Sequence, residues 1–478
     1  MKKFWGLIFV MIIMPTLILA GCNTSSPNNA TGPSGSPSTG TEDSNGGTDS
    51  ESETGSDGDT LTVATVNNPD MKIMQRMTEE FFEKETGINV EFVVLPENDL
   101  RKKVTEDVAL GAGLFDIVTI STYDTPIWAE NGWIEPLTPM FEKLDAEELE
   151  AYDMEDVFQV LRDALSYEDT QYALPFYGES SMLYYNKTIF EELGLEMPLE
   201  PTWGEIGELA RTIKEETGKP GITLRGLPGW GEVMAPLTTV INAFGGSWYD
   251  MDWNAQLNSE KTVEAVQFYA DLIQDAGQPG AINTGFTEAL TLMSTGETAM
   301  WYDATVAAGF LNNPDDSQVV GEIGYAFAPK MEKENTGWLY AWSLAIESAS
   351  KNKDAAFEFI KWATSKEYIE LVGEKEGWVV APSGTRTSTY ENPNYQEAAP
   401  FAEMVLEAIE RVDYEQPTVD PVPYEGVQYV VIPEFQELGT EVSQHIASAI
   451  AGDVTVEEAM NEAQKLAEAV AEEGGYKE

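Results

Sequence analysis

Repeated changes between strand-like and helix-like hydrophobic periodicity within residues 61–120 restrict the fold more than any other feature. Residues 61–66, 88–95 and 115–120 are apolar runs or alternate apolar and polar residues, which is typical of buried strands. Two segments with apolar residues at helical spacing separate them, and the connections are short. A β-α-β-α-β order predicts a parallel sheet with right-handed crossovers, whose ligands bind beyond the carboxyl ends of the strands. We therefore predict an α/β fold.

The rest of the chain continues in the same style. Thr202 and Glu205 form a predicted capping box that begins a helix ending near Thr217. Further strands are predicted at 172–177, 181–185, 222–224, 299–302, 323–328 and 339–346, and further helices at 260–275, 285–294, 352–364, 394–411 and 455–472. A chain of 478 residues is expected to form two domains.

The first 59 residues are predicted to direct and tether the protein rather than to fold. Two lysines precede an apolar run that ends in Leu19-Ala20-Gly21-Cys22, which resembles the bacterial lipobox. Residues 1–21 are therefore predicted to be a lipoprotein signal peptide, and Cys22 the lipidated residue. The alternative is a transmembrane anchor, but the run is short for a bilayer core of about 30 Å. Residues 23–59 contain seven acidic and no basic residues, which predicts a disordered linker.

Composition excludes several classes of chemistry. The chain has one Cys and one His, too few for a disulfide or a Cys/His zinc site. A Ser-His-Asp mechanism could use only His445, in an Ala-rich helical stretch. The 27 basic and 83 acidic residues give a net charge of −56, which repels phosphates, so we expect no nucleic-acid partner. Nucleotide-binding glycine motifs do not follow the strands, and residues 250–254 start like a calcium loop without its Gly and Glu, so no cofactor or metal is expected.

Several motifs together resemble one protein family. They lie at 115–118 (Phe-Asp-Ile-Val), 132–137, 173–177 (Ala-Leu-Pro-Phe-Tyr), 183–187, 296–301 (Gly-Glu-Thr-Ala-Met-Trp) and 355–366. In order and spacing the chain resembles extracellular solute-binding proteins of bacterial ATP-driven sugar importers, from Leu61 to about Ala471. Segments 175–182, 227–232, 340–344, 384–390 and 429–435 resemble the branch that binds polyols such as mannitol and sorbitol.

This resemblance implies a periplasmic-binding-protein-like fold, in which two α/β lobes joined by hinge strands close on a ligand. Lobe one would contain 60–174 and 330–380, and lobe two 175–329 and 381–478. The crossings would lie near 173–176, 326–329 and 379–382. The protein would be a monomer, lipid-anchored at the outer face of the cell membrane, and would deliver a neutral polyol or sugar to ABC permease subunits.

Aromatic residues two positions before carboxylates are the first candidates for ligand contacts. Polyol C–H faces pack on aromatic rings, and polyol hydroxyls need charged or amide partners. At a strand end, the i, i+2 spacing places both side chains on one face. The pairs are Tyr177 with Glu179, Trp230 with Glu232, and Trp301 with Asp303. A tryptophan in a chain of this size is more often part of the core, although the glycine-rich loop around Trp230 favours ligand contact.

Position in the predicted fold supplies the other candidates. Asn67, Asn68, Tyr123 and Asp124 follow strands, with turn formation and helix capping as the alternatives. Arg225 follows a predicted strand, and a surface salt bridge is the usual alternative for an arginine. The family resemblance implies Trp342, Trp378 and Arg386 as further ligand-binding residues.

Two other functions remain open at this point. A secreted glycoside hydrolase could use a carboxylate pair such as Glu179 and Asp303. Its mechanism needs the two carboxyl groups roughly 5 to 9.5 Å apart. A surface adhesin would suit the anchor and linker but does not need a cleft. The resemblance favours transport, and we therefore predict a binding protein without catalytic residues.

Overall fold

The computed structural model describes residues 60–477. The predicted signal peptide, Cys22 and linker lie outside these residues. The strands are β1 Thr60–Val66, β2 Asn89–Leu95, β3 Ile117–Ser121, β4 Ser166–Tyr167, β5 Thr170–Gln171, β6 Leu174–Glu179, β7 Ser181–Asn186, β8 Met300–Ala304, β9 Ile323–Phe327 and β10 Tyr340–Ile346.

Helices cover the sheets and fill the connections between strands. They are α1 Pro69–Met77, α2 Glu83–Thr86, α3 Glu97–Leu110, α4 Asp124–Glu130, α5 Thr138–Phe141, α6 Ala146–Tyr152, α7 Gln159–Ala164, α8 Lys187–Leu193, α9 Trp203–Thr217, α10 Met234–Ala243, α11 Glu260–Ala276, α12 Phe286–Ser294, α13 Ala307–Asn312, α14 Lys353–Ala363, α15 Lys366–Val372, α16 Thr387–Glu391, α17 Pro393–Ala398, α18 Ala402–Glu410, α19 Phe435–Ala451 and α20 Val456–Glu473. A π-helical turn, Thr78–Phe82, joins α1 to α2.

The larger sheet has five strands in the order β2-β1-β3-β10-β6. As predicted, β1 pairs in parallel with both β2 and β3. The late strand β10 lies antiparallel between β3 and β6, with Trp342 opposite Ser121 on one side and Tyr177 on the other. The carboxyl ends of β1 to β3 therefore meet at one edge of the sheet, where the adjoining helices and loops can form a site.

The smaller sheet has three antiparallel strands in the order β8-β7-β9. One buried residue, Ser180, separates β6 of the larger sheet from β7, and residues 328–339 lead from β9 back to β10. The strand pairing thus moves the first crossing a few residues beyond 173–176, because β6 stays paired with β10 as far as Glu179. The lobe boundaries remain a prediction.

Most predicted elements are confirmed, with two differences. Thr202 and Glu205 form the expected capping box of α9. The predicted helix at 394–411 is instead the pair α17 and α18, because Pro400 cannot donate the backbone hydrogen bond that a continuous helix requires. The predicted strand at 222–224 is reduced to one bridge between Thr223 and Trp301. None of the helices within residues 60–477 combines the length and hydropathy of a membrane span.

Candidate ligand-binding site

A cavity lies at the carboxyl ends of β1 and β2 and extends to residues next to the smaller sheet. It is partly open to solvent. Its wall is formed by Asn68, Glu97, Arg101, Tyr177, Glu179, Arg225, Trp230, Gly231, Ala235, Phe286, Ala304, Val306, Trp338, Tyr340, Trp342 and Gln428. The wall combines aromatic rings and two arginines with glutamate, asparagine and glutamine side chains. This is the combination expected for a polyhydroxylated ligand.

Arg225 is the centre of a buried ion-pair cluster at this wall. Its Nε donates to Asp303 Oδ2 at 2.8 Å, its Nη2 donates to Asp303 Oδ1, and its Nη1 donates to the carbonyl of Gly231 at 2.9 Å. Glu232 lies 3.5 Å from Nη1. Burial alone lowers the pKa of Arg225, but the carboxylates of Asp303 and Glu232 outweigh it and raise the pKa. Arg225 therefore stays charged although it is buried.

Two glutamates beside this cluster have strongly raised pKa values. Burial, only partly offset by the charge of Arg225, raises the pKa of Glu179 to about 8. Burial and the nearby charge of Glu97 raise the pKa of Glu232 to about 8 as well. Burial thus favours the protonated form of both carboxyl groups. A neutral carboxyl group in the wall can donate a hydrogen bond as well as accept one, which suits hydroxyl ligands.

Arg101 also forms part of the wall, one helical turn after Glu97. Its Nε and Nη2 donate to Glu97 Oε1 at 3.0 and 2.8 Å, and Nη2 also donates to the hydroxyl of Tyr340 at 2.6 Å. The guanidinium carbon lies 4.0 Å from the ring centre of Trp230 and 4.8 Å from that of Trp342. Each arginine of the cavity is thus accompanied by at least one carboxylate, so the wall presents compensated charge.

Part of this wall was not predicted from the sequence. Arg101, Trp338, Tyr340 and Gln428 were not among the predicted residues, although all four line the cavity. For Arg101 a signal existed, since it lies four residues after Glu97 on the helix that follows β2. Gln428 had none, because it comes from an irregular segment near the end of the chain.

Six predicted residues line the cavity: Asn68, Tyr177, Glu179, Arg225, Trp230 and Trp342. The Asn68 amide donates to the Tyr177 hydroxyl at 2.9 Å, which joins two strand ends. Trp230 is only 2 % exposed, and its ring lies 4.8 Å from that of Tyr123. The expectation that a glycine-rich loop leaves Trp230 outside any core is therefore wrong, because distant elements supply its neighbours; the ring both packs and faces the cavity.

Five predicted residues lie behind the wall rather than in it: Tyr123, Asp124, Glu232, Trp301 and Asp303. Tyr123 packs on Trp230 and donates to the carbonyl of Ile432 at 3.0 Å. Asp124 accepts from the backbone and hydroxyl of Ser121 at 3.0 and 2.6 Å. Trp301 stacks on Tyr184 and donates to Asp303 at 3.0 Å. These residues support the wall residues.

Three predicted residues lie elsewhere. Arg386 is 0 % exposed and donates to the carbonyls of Thr364 and Asp153 and to the carboxylate of Asp156. It connects structural segments instead of reaching the cavity. Asn67 is exposed and continues the pairing of β1, since its backbone N–H donates to Leu95 at 2.9 Å. Trp378 lies in a 3₁₀ turn outside the cavity wall.

The calcium-loop-like segment is occupied by its own hydrogen bonds. Asp250 Oδ1 accepts from the backbone N–H groups of Asp252 and Asn254, both at 3.0 Å. Its other oxygen accepts from side chains of Asn254 and Gln256. Within residues 60–477 no group of three or more His, Cys, Asp and Glu side chains is arranged as a metal site.

The geometry does not suit the carboxylate pair of a glycoside hydrolase. Asp303 is 0 % exposed, and both of its carboxylate oxygens accept from Arg225. A nucleophile or base must reach the substrate, but Asp303 does not line the cavity. Two sheets, a chain that crosses between them and a cavity at the strand ends suit instead the binding of a small molecule.

The chain belongs to the family of bacterial extracellular solute-binding proteins, whose model matches residues 65–370. It is 43% identical over 420 residues to a mannitol-binding protein from Pseudomonas aeruginosa, covering 87% of this chain and 94% of that protein. The predicted periplasmic-binding-protein-like fold is thereby confirmed, as is the prediction of a binding protein rather than an enzyme. The family places the chain outside the cytoplasm, as a component of an ATP-driven importer.

Two solved structures resemble it closely. One is an ABC transporter solute-binding protein from Agrobacterium vitis with bound D-mannitol, with a TM-score of 0.84 and 47% identity over 87% of this chain and 99% of that chain. The other, from Agrobacterium radiobacter in complex with ribitol, has a TM-score of 0.76 and 27% identity, covering 87% and 99%.

Proposed function

We propose that this protein captures a neutral acyclic polyol, with D-mannitol as the first candidate, and delivers it to the permease of an ABC importer. The observation that carries the proposal is the compensated charge of the cavity wall, where Arg101 faces Glu97 and Arg225 faces Asp303. A wall of this kind can orient hydroxyl groups without requiring a charged ligand. The mannitol and ribitol ligands named for similar proteins support the same class of solute.

The aromatic residues of the wall give the ligand its apolar contacts. Trp230, Trp338, Tyr340 and Trp342 line the cavity together with Phe286. The C–H faces of a polyol chain can pack on such rings, while Glu179 and Arg225 serve its hydroxyls. Gln428 Oε1 is buried at this wall and has no hydrogen-bond partner within residues 60–477, which makes it a further acceptor for a hydroxyl.

Calorimetric titration of the folded protein tests the proposal. We expect D-mannitol to bind, sorbitol and ribitol to bind with different affinity, and mannitol 1-phosphate, a control with the same carbon chain and an added charge, to bind far more weakly. The phosphate would meet the carboxylates around Arg225 and a strongly negative protein. If a monosaccharide or oligosaccharide binds while no polyol does, the proposed solute class is wrong.

Small-angle scattering tests the proposed closure of the two lobes, 60–174 plus 330–380 and 175–329 plus 381–478. Saturating D-mannitol should reduce the radius of gyration, because the lobes rotate together around the solute. The molecular mass from the same data should remain that of a monomer. An unchanged radius at saturation contradicts hinge closure.

Lipidation of Cys22 is the proposed means of attachment to the outer face of the membrane. The support is the Leu-Ala-Gly-Cys motif and the absence of any other cysteine in the sequence. Residues 23–59 would then be a tether with a root-mean-square reach of about 35 Å, from the scaling of flexible chains. This reach would let the folded part diffuse beside the permease.

We expect Cys22→Ala to release the protein from the membrane or to leave its signal peptide uncut, because no sulfur remains to carry the acyl chains. Fractionation of cells and mass spectrometry of the amino terminus measure both outcomes. Cys22→Ser is a closely matched second variant that should behave in the same way. Processed protein retained on the membrane in either variant contradicts the prediction.

A further inference from the structure

The guanidinium of Arg101 lies close to two tryptophan rings that belong to different parts of the fold. Trp342 is part of β10 in the larger sheet, and Trp230 lies in the loop between Arg225 and α10. That loop is attached to the smaller sheet, because Arg225 is bound to Asp303 of β8. The guanidinium of Arg101 is thus in contact with both halves of the molecule at 4.0 and 4.8 Å from the ring centres.

The donors of Arg101 are only partly used by the protein. Nε and Nη2 donate to Glu97 and to Tyr340. Nη1 has Asp124 as its acidic neighbour at 3.8 Å, which exceeds hydrogen-bond distance, and donates to no other group within residues 60–477. The side chain is 7% exposed and lines the cavity. Its two Nη1 hydrogens are therefore the donors of Arg101 that no hydrogen bond within residues 60–477 uses.

The loop that carries Trp230 approaches α3 so closely that the residues on either side of Trp230 have no room for side chains. A Cβ atom at Gly229 would lie 2.5 Å from Asn98 Oδ1, and one at Gly231 would overlap Glu97 Oε1. Asn98 donates to the carbonyl of Pro228 at 3.0 Å. The two glycines thus allow Trp230 to reach the face of Arg101.

From this geometry we infer that Arg101 is a ligand-binding residue that also couples binding to closure. Its Nη1 donates to neighbouring hydroxyls of the polyol, and its guanidinium packs on the Trp230 ring as well as on the Trp342 ring when the halves close. A planar guanidinium can do both at once, whereas the ammonium of a lysine offers no flat face to two rings. This inference rests on the proposed polyol binding.

Arg101→Lys tests the inference by calorimetric titration with D-mannitol. Loss of a charge-assisted hydrogen bond corresponds to a roughly 10- to 150-fold weaker affinity, which is the loss we expect although the charge is kept. Arg76→Lys is the matched control, since Arg76 is paired with Glu376 on the surface. This variant should bind D-mannitol with the affinity of the wild type. Melting curves without ligand establish that both variants are folded. Wild-type affinity in Arg101→Lys overturns the inference.

The monodeoxy derivatives of D-mannitol separate ligand contact from a purely structural role. At least one of them should bind the wild type more weakly than mannitol, yet show little further loss in Arg101→Lys, because the lost partners are the same pair. If each derivative binds more weakly than mannitol by the same factor in the wild type and in Arg101→Lys, Arg101 does not contact the ligand. If the wild type binds no polyol at all, the proposed function fails instead.

Gly231→Ala tests the coupling to closure at the contact of the loop with α3, where the added Cβ would overlap Glu97 Oε1 and lie 3.0 Å from Arg101 Nη2. We expect mannitol to bind this variant more weakly and to reduce its radius of gyration less than that of the wild type, because the added methyl group meets Glu97 only when the loop lies on α3. Gly204→Ala is the control, because an added Cβ at this exposed position in the first turn of α9 would meet nothing closer than the Thr202 hydroxyl at 3.8 Å. Full contraction of Gly231→Ala with mannitol contradicts the coupling.

Discussion

Asp303→Ala is expected to lower the free energy of unfolding by about 3–5 kcal/mol and to remove measurable polyol binding. The reason is that Arg225, which is buried, would lose the carboxylate that accepts from both Nε and Nη2. The indole N–H of Trp301 would lose its acceptor at the same time. Urea denaturation gives the change in unfolding free energy, and calorimetric titration gives the change in affinity.

Asp303→Asn is the matched variant, because it keeps the size of the side chain and one oxygen acceptor but removes the charge. We expect an intermediate loss of stability and a weakened but detectable affinity. An Asp303→Ala variant as stable as the wild type would contradict the buried ion pair. Normal affinity in that variant would show that Arg225 needs no fixed orientation to bind the solute.

Trp230→Ala should weaken D-mannitol binding by about 2–4 kcal/mol, the cost of removing a central aromatic contact. That range corresponds to a roughly 30- to 1000-fold higher dissociation constant. The variant removes a cavity wall and one of the two rings on Arg101. Titration of the folded fraction, determined from the melting curve of the same sample, measures the effect on binding alone.

Trp301→Ala is the control for Trp230→Ala, because Trp301 is fully buried on Tyr184 and does not line the cavity. Its loss should reduce stability by about 3–5 kcal/mol, as for other large core residues. Binding by the folded fraction should fall much less than in Trp230→Ala. Equal losses of affinity in both variants would mean that Trp230 acts only through packing.

Local patterns of the sequence predicted the elements of this fold well. Hydrophobic periodicity located β1 to β3, and the spacing of Thr202 and Glu205 located the capping box of α9. Both patterns depend on residues that are near one another in the chain. The position of β10 between β3 and β6 could not be predicted in this way, since its partners are more than 150 residues distant in the sequence.

For the site, too, local patterns could not predict contacts between residues that are distant in the sequence. The rule that ligands lie beyond parallel strands predicted Asn68, and the i, i+2 spacing correctly joined Trp301 to Asp303. The spacing did not reveal that Asp303 binds Arg225 or that neither Trp301 nor Asp303 lines the cavity. Arg386 matched a motif, but its acidic partner Asp156 is 230 residues earlier, so nothing local indicated a structural ion pair.

The place of β10 has a consequence for the order in which the chain can fold during its synthesis and export. Trp342 must lie between Ser121 and Tyr177 before the five-stranded sheet is complete. The amino-terminal half therefore cannot finish its sheet while the later half is still unmade or on the other side of the membrane. Non-local pairing of this kind slows folding, so we expect a chain that functions outside the cytoplasm to stay unfolded, and therefore transportable, for longer than one built from local pairs.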